Sequence, residues 1–296
     1  MQLPRRHAFT LFQLLIILAI LAILLGLLLP AVQKVREAAA RTQSQNNLHQ
    51  IGLATINYAD ANKGDLPPGV DDNHFSTASY ILPYLEQNNL FQTIDFKKSI
   101  DDDANANARK TMIKTFLDPQ DEIQTVKAGW GATNYLYNDQ VFTPIAQKMR
   151  FPASITDGTS NTVLAGETLK GDGDAKPNDV HRKYVMLKKE DLKNTGPNTG
   201  VNYFKKGEHI AGDRCASWMD GRFLQGTFNG RLKPNDERPD VSCGGVSGVS
   251  ALRTYGSGNN VGLLDGSVRY VATGISHETW KAALTPNGGE VLGADW

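Results

Sequence analysis

Cysteine is nearly absent: the chain of 296 residues has two, Cys215 and Cys243. Twenty-eight positions apart, they are not the C-x-x-C of a redox enzyme or of a paired-thiolate zinc site. Histidine is also sparse. His7, His49, His74, His181, His209 and His277 are dispersed, with no H-E-x-x-H and no pair at helical ligand spacing, which argues against zinc. Net charge is absent too, with 31 basic and 31 acidic residues. That balance excludes a general affinity for nucleic acid or anionic surfaces. The pairs Lys97-Lys98, Lys188-Lys189 and Lys205-Lys206 read as solvated surface. There is no Walker phosphate loop, dinucleotide fingerprint or G-x-S-x-G elbow, and no internal repeat or low-complexity tract. Nothing selects an enzyme, and the expectation is that the chain is not one.

What the chain does have is a long apolar run near its start. Arg5-Arg6-His7-Ala8 precedes 21 residues without a formal charge, Phe9 to Leu29, and Pro30 follows. At roughly 1.5 Å per residue, such a run crosses a bilayer core of about 30 Å as one helix. Only as a helix does its backbone satisfy its own hydrogen bonds there. A secretory signal would carry a shorter core with a small-residue cleavage site after it. Here the small residue, Ala8, precedes the run, and helix-forming sequence continues beyond Pro30.

That order resembles a type IV prepilin signal, in which a peptidase removes a basic leader and the apolar helix stays on the mature protein. The resemblance implies cleavage between Ala8 and Phe9 by prepilin peptidase and methylation of the new amino group. Pro30 then stands 22 residues into the mature chain. Two departures matter. Ala8 replaces the usual Gly. Gln13 replaces the Glu that pairs with a neighbouring subunit's amino terminus, so Gln13 can hydrogen-bond but not ion-pair. This suits a minor or tip subunit, or a protein that simply stays anchored. The leader charges Arg5 and Arg6 place the amino terminus in the cytoplasm, with one pass through the inner membrane and a periplasmic or cell-surface body. In that compartment Cys215 and Cys243 can form a disulfide, and a bridge is expected over two buried thiols; closing the loop would contribute roughly 3–4 kcal/mol.

Four segments follow: a leader at 1–8, a membrane or filament-core helix at 9–30, its continuation at 31–64, and an exported α+β body at 65–296. Pro30 marks the junction and is placed to kink the helix. Leu48, Ile51, Thr55 and Tyr58 recur at three- and four-residue steps and predict a stripe that docks on the body. Gly64 and Pro67-Pro68-Gly69 end the helix. Short helices or turns are predicted over Tyr80–Gln87 and Leu90-Phe91, and a helix over Arg109–Phe116. Strands are predicted at Thr133–Tyr137, Thr162–Ala165 and Tyr184–Leu187, with loops at 171–179 and 193–200. Asp265-Gly266 between Val261–Leu264 and Ser267–Val271 predicts a hairpin with positive φ at both turn residues.

Further signatures are Leu27–Arg41, Asn46–Leu53, Leu82–Gln87, Ile155–Thr162 with Gly166-Glu167, and Thr285–Glu290. With them the chain resembles, over nearly its whole length, the pilin-like proteins of domain of unknown function 1559, also labelled family 10 of bacterial extracellular solute-binding proteins. The resemblance implies a long helix packed on an antiparallel sheet. The family's carboxyl-terminal His, nine residues before Asp-Gly, is Tyr255 here, so any role for an imidazole is absent.

Candidate chemistry is thin. Asp157–Asn161 offers oxygens for Ca²⁺ but reads more simply as a turn whose side chains bond nearby backbone. Asp172 and Asp174, at two-residue spacing, are the best Ca²⁺ candidates, without the loop an EF-hand needs. Trp130, Trp218, Trp280 and Trp296 could stack on sugars, though core packing is the commoner fate. Two functions stay open: a subunit assembling with other pilin-like subunits in a pilus or secretion filament, and a tethered receptor for extracellular carbohydrate or another solute.

Overall fold

A computed structural model describes residues 11–144, 147–188, 199–245 and 247–296. Ala8, Phe9 and the side chain of Gln13 lie outside the described residues. The chain divides into two units between Thr42 and Gln43.

Helix α1, Leu11–Ala61, belongs to both units. Leucine, isoleucine and alanine favour it throughout, and Pro30 is contained within it. In the first unit the apolar side chains from Leu14 to Leu29 are exposed; Leu18 is 53% exposed and Leu25 65%. A soluble protein rarely leaves so large a contiguous apolar surface in water. The segment is long and apolar enough to cross a membrane.

The second unit holds the predicted stripe. Leu48, Ile51 and Thr55 are fully buried, and Tyr58 meets Tyr80 and Tyr84 edge-on with ring centroids 6.2 Å away. Gly64 ends α1, as predicted, with φ at +88° and its N–H donated to the Ala59 carbonyl. Short pieces follow: α2 (Thr77–Ile81), a 3₁₀ turn (Leu82–Leu85) and α3 (Asn88–Phe91). They build an aromatic cluster in which Phe96 packs on Phe75, Tyr80 and Phe91.

The helix predicted over Arg109–Phe116 does not form. Instead α4 (Ala106–Arg109) stops and a 3₁₀ turn covers Lys114–Phe116. Tertiary partners take the backbone that a helix would need: Gly131 N–H donates to the Arg109 carbonyl and Trp218 Nε1–H to the Thr111 carbonyl.

Two sheets complete the body, and both are mixed rather than purely antiparallel. The first contains β1 (Tyr135–Asn138), β2 (Val163–Glu167), β5 (Thr227–Phe228), β8 (Gly258–Leu263) and β9 (Val268–Ala272), in the order β5-β1-β2-β8-β9. Only β1 and β5 run parallel in it. The second contains β3 (Tyr184–Leu187), β4 (Ile210–Ala211), β6 (Asp240–Cys243) and β7 (Ser247–Val249), ordered β4-β3-β6-β7, with β3 and β6 parallel. Helix α5 (Thr199–Lys206) packs on the second sheet through Tyr203 and Phe204. Helix α6 (His277–Leu284), capped by Ser276, buries Trp280 and Leu284 on the first.

The β8–β9 hairpin forms where predicted, with different turn chemistry. Only Gly266 has positive φ, at +83°, in a wider loop whose Asp265 carboxylate accepts from Ser267 N and Oγ. Helix α1 meets this turn closely. A Cβ on Gly52 would lie 3.0 Å from the Gly266 Cα, so two glycines allow the approach.

The expected disulfide is absent. Cys215 packs with Phe228 and Trp280 beside the first sheet, while Cys243 packs with Val185 and Leu187 of the second. The two sit in separate hydrophobic clusters, and burial pushes the Cys215 thiol up to about 11.

Candidate functional site

Several signature residues prove to be pins between elements. Glu167, at the end of β2, accepts from Ser44 Oγ of α1 at 2.5 Å, from Asn260 N at 2.7 Å and from Asn260 Nδ2 at 3.0 Å. Ser44 and Asn47 also bond the Tyr135 hydroxyl of the first sheet. His49 Nδ1 lies 2.6 Å from the Gly266 carbonyl oxygen. The two oxygens of Asp157 accept the N–H groups of Gly288 and Gly289 at 2.8 and 2.9 Å, joining two signatures 131 residues apart.

Asp172 and Asp174, the Ca²⁺ candidates, are met by lysines. Lys183 places its ammonium on the Asp172 carboxylate and on the Asp174 carbonyl, and Lys176 pairs with the Asp174 carboxylate at 3.4 Å. Among the described residues no three His, Cys, Asp or Glu side chains converge on a metal position.

Between the sheets lies an ionic network that the sequence did not reveal. Asp240 of β6 receives Arg253 Nη2 at 2.6 Å, and Arg214 closes on its other oxygen. All three side chains are fully buried. Burial lowers both guanidiniums to about 10, still charged at neutral pH. Nearby, Asp121 receives Lys170 Nζ at 3.2 Å and Arg182 Nη2 at 2.9 Å. Tyr255 extends this chain to the surface: its hydroxyl donates to Asp179 and accepts from Arg182 Nε at 2.9 Å.

Two further carboxylates are held with little compensation. Burial raises Asp139 from its ordinary 3.8 to about 7, opposed only by Arg231. Burial also raises Asp118 to about 6, opposed by the Gln120 N–H it accepts and by Lys170 and aided by the charges of Glu167 and Asp121. Between pH 4 and 7 the unfolded chain has released these protons while the folded chain keeps them. Stability therefore falls as pH rises through that window and levels off above it. Asp139→Asn removes one such group at nearly constant shape. It is expected to stabilise the protein at pH 7.5 by roughly 1–3 kcal/mol and to leave it unchanged at pH 4, read from melting temperature against pH.

One cavity of about 280 Å³ opens beside the second sheet. Period-two alternation turns Tyr184, Met186 and Ser242 to it, while Val185, Leu187 and Cys243 face the α5 side. The loop 213–225 forms another wall. It folds back on itself at Cys215 and Leu224, both with positive φ, through the bond from Cys215 N–H to the Leu224 carbonyl at 2.9 Å. Gln225 fixes the loop by accepting from Ala216 N and donating to the Asp213 carbonyl, each at 2.9 Å. Asp213 Oδ1 receives the Tyr184 hydroxyl at 2.7 Å. Arg222 forks onto Asp220 at 2.6–2.9 Å, and this pairing raises the guanidinium further. Trp130 lines the cavity with Lys127 over its ring, whereas Trp218 and Trp280 are core and Trp296 packs against the first-sheet cluster.

No curated protein and no solved structure matches this chain. Residues 33–278 match a family described as a protein of unknown function, DUF1559. That span covers most of the chain, and the protein belongs to the DUF1559 family.

Proposed function

We propose that this protein is a membrane-anchored, pilin-like subunit with an exported body and a structural or assembly role in a pilus or secretion filament. One observation carries the reading. The apolar first part of α1 is exposed on every side, yet the same helix ends with its polar and apolar side chains committed to a folded body. An apolar helix surface without a protein partner fits lipid, or the apolar helices of neighbouring copies. Prepilin peptidase recognises the Ala8–Phe9 junction, and the amino terminus starts in the cytoplasm with the body beyond the inner membrane. Gln13 makes a minor subunit or a permanent anchor a better fit than a major filament subunit, since it brings no charge to pair in the apolar bundle. The role needs no cofactor and no catalytic residue.

Processing tests the reading. Ala8→Trp puts a bulky ring at the scissile bond. It is expected to leave the precursor intact, whereas the parent chain begins at Phe9 with a methylated amino group, read by intact-mass spectrometry of the membrane fraction. A mature chain of normal mass from the Trp variant, or a parent chain retaining Arg5 and Arg6, would refute it.

A further inference from the structure

We infer that the cavity walled by the 213–225 loop is a binding site for a neutral saccharide of about one or two rings. The inference does not depend on whether the subunits polymerise.

Size sets the first limit. At about 280 Å³ the cavity lies at the lower edge of small-molecule sites. A peptide or a large cofactor would not be enclosed. Lining chemistry sets the second. Trp130, Tyr184 and Phe223 line it with only narrow strips open, since each is buried and the Trp130 ring is already met by Lys127 and Arg109, while Asp213, Arg222 and Ser242 supply polar groups. A wholly apolar ligand would strip water from that carboxylate, guanidinium and hydroxyl and return no hydrogen bonds. A sugar ring fits both halves. Its C–H groups meet the strips of aromatic and Met186 surface that the lining leaves open, and each of its hydroxyls both donates and accepts.

Charge sets the third limit. Asp220 is already matched by the fork of Arg222. Asp213 holds the Tyr184 hydroxyl on one oxygen, and among the described residues no cation pairs with it. Its second oxygen is suited to accept a ligand hydroxyl. Lys127, exposed at the rim, balances it in sign. The two acids and two bases of the lining therefore cancel, and an anionic or cationic ligand would bring an unmatched charge into a partly enclosed site. Pre-organisation supports a site over an accidental gap. The Asp213 side chain and the loop behind it are fixed by Tyr184, Gln225 and the Cys215–Leu224 bond, so little ordering is left to binding.

The test uses the full chain in lipid nanodiscs, because sugar-headed detergents would compete. Glucose, galactose, N-acetylglucosamine, maltose, cellobiose and N,N′-diacetylchitobiose are titrated by calorimetry and by tryptophan fluorescence. At least one is expected to bind saturably at millimolar concentration or below. Asp213→Asn, which still accepts from Tyr184, is expected to weaken that binding at least tenfold with an unchanged melting temperature. Should that variant melt early, Ser242→Ala is the second probe, with an expected loss of threefold or more. The inference is overturned if none of the six sugars binds, if binding survives in both variants, or if glucuronic acid or glucosamine binds tenfold tighter than every neutral sugar.

Discussion

Replacing Asp240 with alanine is expected to be the most damaging single substitution in the body. The change leaves Arg214 and Arg253 facing each other with no shared carboxylate, both still fully buried. Arg253 keeps the carbonyls of Asp236 and Arg238, and Arg214 keeps the Ala251 carbonyl and the Thr168 hydroxyl. Those dipoles take up part of the N–H groups but do not cancel charge. Removing one partner of a buried ion pair costs about 3–5 kcal/mol, against the roughly 5–15 kcal/mol that hold a typical domain together. For a unit of this size the melting temperature should fall by roughly 6–20 °C. Asp240→Asn, which keeps shape and loses charge, should fall less. Lys98→Ala breaks the exposed pair with Asp102, 3.9 Å apart, and should change stability by no more than about 0.5 kcal/mol. Calorimetry of the purified full chain at pH 7.5 checks all three. Equal melting temperatures for Asp240→Ala and the parent would mean that the network bears no part of the body's stability.

The second large effect concerns the anchor. Leu18, Leu21 and Leu25 are 53%, 48% and 65% exposed on the first part of α1. An arginine near the centre of a membrane helix costs about 2.5–3.5 kcal/mol on insertion scales, so three cost roughly 8–10 kcal/mol before the lost leucine contribution is counted. That is comparable to the whole favourable transfer of a helix this long. The triple arginine variant should therefore leave the carbonate-resistant membrane pellet, while the triple alanine variant stays in it. If the arginine variant stays in the pellet as firmly as the parent, this helix is not what holds the protein there.

Much of the fold was legible in the amino-acid order because local periodicity carries it. The stripe Leu48–Ile51–Thr55, the stop at Gly64, the strand Tyr184–Leu187 and the β8–β9 hairpin all follow from neighbours a few residues apart. The site was barely legible. Asp172 and Asp174 looked like an open pair of oxygen ligands because the ammonium that answers them comes from Lys183. No local signal marks Lys170, Arg214 or Arg253 as buried. Cys215 and Cys243 looked like a pair by scarcity alone, yet the fold assigns them to different clusters. Trp130 was only one of four tryptophans able to meet a sugar, and core packing was the commoner fate for each. The residues that share its cavity come from segments near 127, 184, 213–225 and 242, and no spacing relates them.

By itself the order of residues determined an apolar amino-terminal helix, its amphipathic continuation and membership of one family, since each depends on a pattern read along a few turns of chain. Tertiary structure alone decided which charges are buried, which acids are answered, that the thiols stay apart, and where a cavity opens. Those outcomes depend on pairings across tens to hundreds of residues, where packing and the cost of stripping water from charge select the partner and local sequence does not.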